Sequence, residues 1–269
     1  MNDSSLIAKS VSRLSSQKPL RYQINALTKF GRKQLLDVLT GFFEKDKLNK
    51  EHVFAIHYAL IEIVFNALKA NLKFVAFREE IRRQLHRFKI SEIEDLLQVI
   101  IEERTLREFM ASRVMPEVLR KQVRQIFDAE EKYRSGMAQK LNPEQIELLK
   151  KFRHLVRSID ADVNLHILHS NADIVISVTN RVPMLGRDLE RIEHSRQRHH
   201  ELHKEGRAGD FFSYDNLDTT ESAGFGIAMV DQGLYKFGLN PFEHLKIETR
   251  NRETVVTLKY PRKVLLGQS

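Results

Sequence analysis

The most constraining stretch of this chain is residues 51–71, EHVFAIHYALIEIVFNALKAN. At helical spacing Ile56, Leu60, Ile63 and Ala67 form one apolar face, while Phe54, Ile61, Phe65 and Leu68 cover most of the remainder. A helix that is apolar nearly all round belongs inside a protein. Yet Glu62, Asn66 and Lys69, at i, i+4 and i+7, share one narrow stripe beside the small Ala55 and Ala59. A carboxylate, an amide and an ammonium in line on a buried helix need partners, because burying them unpaired is costly. A bound nucleotide with its metal would supply those partners. A solvent-facing stripe carrying a Glu–Lys pair is the other reading of the same spacing.

The rest of the chain alternates two patterns around this helix. Residues 20–27 alternate as an edge strand and residues 30–43 form an amphipathic helix. Residues 163–168 and 174–179 read as a β-hairpin turning on Ser170-Asn171-Ala172-Asp173, and residues 245–249 and 254–260 as a closing hairpin. Residues 187–203 and 224–237 are expected to be helical. Between 74 and 161 the chain reads as four helices, with capping boxes at Ser91 with Glu94 and at Asn142 with Gln145, the latter followed by Pro143 in the first turn. Residues 1–18, Ser-rich and weakly patterned, are expected as a flexible, frayed tail or a loose helix.

A second chemical element lies late in the chain. Ser222-Ala223-Gly224-Phe225-Gly226-Ile227-Ala228-Met229-Val230 is a Gly-x-Gly turn running into an apolar helix. Glycines admit close approach of a phosphate, and the free N–H groups of a helix start attract its charge. Close helix packing explains the same glycines without a ligand.

Taken in order, these elements resemble the GHKL (Bergerat-fold) superfamily, which includes histidine kinases, type II topoisomerases, Hsp90 chaperones and anti-sigma-factor serine kinases. Glu62-Ile63-Val64-Phe65-Asn66-Ala67-Leu68-Lys69 is similar to its N-box, and Ser222-Ala223-Gly224-Phe225-Gly226-Ile227 to its glycine-rich box. The short lead-in before the N-box helix is most similar to the anti-sigma-factor kinases. The resemblance implies an α+β fold, a two-layer α/β sandwich with a mixed sheet and helices on one face. The ATPase-like domain would comprise residues 19–73 and 162–269, interrupted by a four-helix insertion at 74–161. It implies ATP or ADP with Mg²⁺ as cofactors. Asn66 would hold the metal, Glu62 would orient or deprotonate the attacking group, and Lys69, Ser222, Gly224, Phe225, Gly226 and Ile227 would contact the nucleotide, with residues 184–221 as a lid. The family places an Asp in a D-x-G-x-G box at the end of the second central strand, where it accepts from the adenine amino group. Here Asn180 stands at the Asp position, where its amide oxygen can still accept a hydrogen bond from the nucleotide, and Val182 and Met184 replace the glycines.

Composition narrows the class further. There are no cysteines, which removes disulfides, thiolate metal sites and cysteine nucleophiles together. No unbroken run of 18 apolar residues and no secretory h-region is present, so the expectation is a cytoplasmic protein without a membrane span. The net charge of +8 comes from 44 basic residues spread among 36 acidic ones, without the aromatic-interleaved basic strands that stack bases, so nucleic acid is not the expected partner. His194, His199, His200 and His203 are expected on a solvated helix rather than around zinc. No histidine sits on a long hairpin ahead of residue 52, which argues against a self-phosphorylating histidine kinase. Two functions follow, and the net charge permits a third and weaker one, a nucleic-acid-associated ATPase. One is an ATP-dependent regulator acting by phosphoryl transfer to, or sequestration of, a protein partner such as a sigma-factor-like regulator. The other is a non-catalytic pseudo-ATPase whose helical insertion binds a partner or forms a homodimer.

Overall fold

The computed structural model describes residues 3–87, 117–158, 162–182, 184, 186–213, 225–250 and 253–267. Its centre is a sheet of five strands: β1 (Leu20–Ile24), β2 (Val163–His169), β3 (Asp173–Asn180), β4 (Leu245–Arg250) and β5 (Glu253–Pro261). Their spatial order is β1-β2-β3-β5-β4. All neighbouring pairs are antiparallel, so the expected mixed sheet is corrected to an antiparallel one. The reason is positional. β4 enters on the far side of β5, so the like-directed β3 and β4 are separated by β5 instead of pairing.

Period-two alternation decides which face is buried. Val163, Leu165 and Ile167 of β2, Ile174, Ile176 and Val178 of β3, and Val256, Leu258 and Tyr260 of β5 all turn into one core. Arg21, Gln23, Lys246, Glu248 and Lys259 on the intervening positions are exposed or half-buried. Against the apolar face pack α2 (Lys29–Lys45), α3 (Val53–Arg87) and α7 (Phe225–Lys236), giving an α+β arrangement of two layers. The remaining α-helices among the described residues are α1 (Asp3–Ser15), α4 (Glu117–Arg134), α5 (Pro143–Ser158), α6 (Gly186–Lys204) and the single turns α8 (Pro241–His244) and α9 (Arg262–Leu265). Thr28 caps α2 through a 3.0 Å bond from Gly31 N–H to its hydroxyl.

The N-terminal segment, expected as a flexible tail or a loose helix, forms α1 and is packed against the core. Leu14 is fully buried, its carbonyl lies 3.2 Å from His169 Nδ1, and Val11 sits so close to Gly41 of α2 that a Cβ there would come within 2.9 Å of it. The apolar spacing Ile7, Val11, Leu14 is a helical stripe that the Ser-rich composition obscures.

α3 is the organising element. On length and composition Lys50–Glu80 is apolar enough to cross a bilayer, although no unbroken apolar run shows it; here it is the central core helix. It continues through residue 74, where the insertion was expected to begin. Around that point Leu72, Phe74, Val75 and Ala76 build a second small core with Ile126 of α4, Phe152 and Val156 of α5, and Val182 just after β3. Asn142 and Gln145 form the expected reciprocal cap of α5, at 2.7 and 3.2 Å. The buried Glu130 accepts from Arg153 at 2.9 and 3.0 Å, tying α4 to α5. The Ser91–Glu94 box lies outside the described residues.

Candidate functional site

α7 runs back along α3, with Gly226 at Glu62 near one end and the Phe237 ring 4.7 Å from that of His52 at the other. The contact at Gly226 is very close. A Cβ placed there would overlap the Glu62 carboxylate and come within 2.9 Å of its Cγ. A side chain at 226 would therefore force the Glu62 side chain to shift, while the φ of Gly226 is not itself unusual. The carboxylate lies at Gly226, in the first described turn of α7. One turn further along α3, Asn66 Nδ2 donates to Glu62 Oε1 at 3.2 Å. That bond commits the amide nitrogen, and the amide oxygen has no partner among the described residues. An oxygen donor next to a carboxylate suits a hard cation such as Mg²⁺. The Lys69 ammonium stands 4.4 Å above the Phe65 ring centroid. Glu62, Asn66 and Lys69 are all half-buried, so the stripe is neither sealed in the core nor fully solvated.

The other expected site residues divide. Ile227 is 3% exposed and its side chain belongs to the main core. Phe225 joins an aromatic group, its ring 5.6 Å from Phe211 and 6.0 Å from Phe212. Ser222 and Gly224 lie outside the described residues.

Asn180 is not on the Glu62–Asn66–Lys69 stripe. It ends β3, is 2% exposed, and donates from Nδ2 to Asn71 Oδ1 at 3.2 Å and to the Val182 carbonyl at 3.3 Å. Asn71 follows Asn66 by five residues, which at about 100° per residue puts it about 140° round the helix. Thr254, directly opposite Asn180 in the β3–β5 register, also donates to the Val182 carbonyl, at 3.1 Å.

Several residues that matter here were not singled out from the sequence. Lys73 of α3 donates to both carboxylate oxygens of Asp188 at 2.9 and 2.8 Å, and Arg191 adds a 3.3 Å contact. Its signal was available, because Lys73 is the next i+4 step after Lys69 on the same stripe. Arg196 of α6 makes a buried two-pronged bond to Asp231 of α7, at 2.8 and 3.1 Å, and reaches the carbonyls of Pro241 and Leu245 at 3.0 and 3.3 Å. Burial pushes the Asp231 carboxyl up, and Arg196 opposes that. No spacing rule links residues 196 and 231. α6, the helix of the expected lid, is thus pinned at its start to α3 and at its middle to α7.

Of the α6 histidines, His194 is exposed as expected and His200 and His203 are half-buried, but His199 corrects the expectation. His199 is fully buried, not solvated, with Nε2 3.1 Å from Gln232 Oε1 and its ring 5.3 Å from Phe211 and 5.5 Å from Phe212. His203 stacks on Tyr235 at 3.6 Å, and His200 hydrogen-bonds the Tyr235 hydroxyl. Burial pushes the His199 imidazole below its ordinary range, the Gln232 bond opposes this, and His203 and His200 add to the lowering. Among the described residues no group of three His, Asp or Glu is placed to hold a metal.

A cavity of about 300 Å³ lies away from this stripe, between α1, β1 and the start of α2, lined by Leu6, Tyr22, Ile24, Gln34 and Val38 among others. No protein-family model, curated protein or solved structure matches the chain.

Proposed function

We propose that this chain is an ATP-binding regulatory protein of the GHKL type, similar to the anti-sigma-factor serine kinases, acting on a protein partner by phosphoryl transfer or sequestration. The observation that carries this reading is the meeting of Glu62, Asn66 and Gly226, which joins the two motif-bearing helices at one half-exposed point. Asn66 would take Mg²⁺ through its amide oxygen, since its nitrogen is held by Glu62. Lys69 and the N–H groups at the start of α7 would bind phosphate oxygens. Glu62, beside them, would orient an attacking hydroxyl and receive its proton. Mg²⁺, when bound, would neutralise charge on the phosphoryl oxygens, so that positioning supplies most of the catalysis.

The second reading is a pseudo-ATPase that uses the fold as a scaffold. It is favoured by the Asn180 amide nitrogen being tied to Asn71 and the Val182 carbonyl, and by the Glu62 carboxylate already seated beside Gly226 of α7. In that case recognition falls to the helices after residue 74, whose exposed Lys121 and Arg124 suit an acidic partner surface or a second subunit.

Calorimetric titration of the purified chain with ATP, with and without Mg²⁺, separates the two. Mg²⁺-dependent binding that is lost in Asn66→Ala supports the first. Absence of binding under both conditions leaves the scaffold reading.

A further inference from the structure

The apolar face of the sheet is closed over β2 and β3 but not over β1. Tyr22 and Ile24 stand opposite Leu165 and Val163 in the β1–β2 register, so all four side chains turn to the same face. Leu165 and Val163 are buried, whereas Tyr22 and Ile24 are only half-buried. The reason lies in α1. Its second half is seated, with Leu14 fully buried and Val11 against Gly41 of α2. In its first half Leu6 is exposed and Ile7 half-buried. The space left beneath that half is the cavity of about 300 Å³.

The lining defines what would fill it. Most of the residues around the cavity are apolar and none carries a charge. An ion held there would lose its water without gaining a partner, so the complementary molecule is neutral. The polar groups of the lining keep bonding capacity. Gln34 is half-buried, and its amide has no partner among the described residues. Tyr22 donates to Ser10 Oγ at 3.2 Å, which leaves the Ser10 hydroxyl proton uncommitted among the described residues. Size sets the rest: an apolar cavity of about 150 Å³ takes up benzene, so one of twice that volume suits a body of about two fused rings.

We propose that this cavity is a binding site for a small neutral amphiphile. Its apolar body lies against Leu6, Ile24 and Val38, and its one hydroxyl or amide end bonds Gln34 and Ser10. The ligand completes the burial that α1 leaves unfinished and holds the first half of α1 to the sheet. The site shares no residue with Glu62, Asn66, Lys69 or Gly226, so it is separate from nucleotide binding.

The probe is 1-naphthol, a neutral bicyclic alcohol, added to the full chain while backbone amide shifts are followed by NMR. Amides of residues 5–10, 22–27 and 31–38 are expected to move together. Shifts scattered over the surface, or none, overturn the site. The anion 1-naphthoate is expected to bind about tenfold more weakly or worse, and equal binding overturns the neutral class. Gly31 offers a variant that keeps the fold, because a Cβ there meets only Thr28 Oγ1, at 3.5 Å, and glycine is a poor helix former. Gly31→Leu is expected to melt at or above the wild-type temperature and to bind 1-naphthol about tenfold more weakly, by occupying the space. Undiminished binding by that variant overturns the proposal. A second variant, Gln34→Leu, is expected to retain naphthalene and to lose about fivefold in its preference for 1-naphthol over naphthalene, the worth of one hydrogen bond. An unchanged preference removes the polar end of the site and overturns the proposed class. The same amides moving with chain concentration, in the absence of probe, would give the gap to a second copy and overturn the proposal.

Discussion

The Glu62 carboxylate rests on the bare Cα of Gly226, joining the middle of α3 to the first turn of α7. Any side chain at 226 must displace a charged group that is half-buried and hydrogen-bonded to Asn66. Gly226→Ala is therefore expected to cost about 1–3 kcal/mol by overpacking. Shortening Glu62 should relieve the clash, so the double variant Glu62→Ala, Gly226→Ala should melt above the sum of the two single effects. Thermal melts of the four proteins measure this coupling, and strictly additive shifts would contradict the contact.

Asn66 carries the metal in the proposed site, and Glu62 does not. Nucleotide should raise the melting temperature by mass action. Asn66→Ala should abolish the Mg²⁺-dependent part of that rise, whereas Glu62→Gln should keep the rise and lower any phosphoryl transfer to a partner. Equal Mg²⁺-dependent shifts in wild type and Asn66→Ala would move the metal elsewhere.

Arg196 and Asp231 form a pair that is 7% and 1% exposed, so the two are expected to be unequal to their parts. Truncating Arg196 alone leaves a buried carboxylate and should cost about 3–5 kcal/mol. Replacing both, Arg196→Met with Asp231→Leu, should cost much less, because no charge is then stranded. Denaturant unfolding of the three proteins gives the comparison. A double variant as unstable as the single one would mean that the Arg196 bonds to the Pro241 and Leu245 carbonyls dominate instead.

Acid should loosen the α6–α7 interface. The His199 imidazole is held below its ordinary value of 6.5 in the folded protein, so between that value and its folded one the unfolded chain binds more protons. Stability from this residue is thus complete above pH 6.5 and falls as pH drops through that window. His52, His57, His166 and His200 are lowered by burial too and act in the same direction. His199→Phe, which keeps a ring among Phe211, Phe212 and Tyr235, should flatten part of the decline between pH 7 and 5 when melting temperature is followed. An unchanged acid limb would assign the effect to the other histidines.

Much of the architecture is local, and local patterns are legible. Alternating apolar residues specify β2, β3 and β5 and their buried face, because side chains in a strand point to opposite sides by geometry alone. Asn142, Pro143 and Gln145 announce the start of α5, since the groups that cap a helix are neighbours in the chain. The stripe Glu62, Asn66, Lys69 followed from helical periodicity, which also contained Lys73 one step beyond.

What the chain could not reveal by itself depends on groups far apart in sequence. Which strands neighbour one another is one such matter: β5 inserts between β3 and β4, which makes the sheet antiparallel throughout. The burial of His199 is another, because a polar run over residues 187–203 reads as solvated until Phe211 and Tyr235 close over it. Asn180 shows the division most clearly. Its identity and its place at a strand end are properties of the sequence. Its partners, Asn71 more than a hundred residues earlier and the carbonyl shared with Thr254, exist only once α3 is laid across the sheet, and those partners decide what its amide can still offer a ligand.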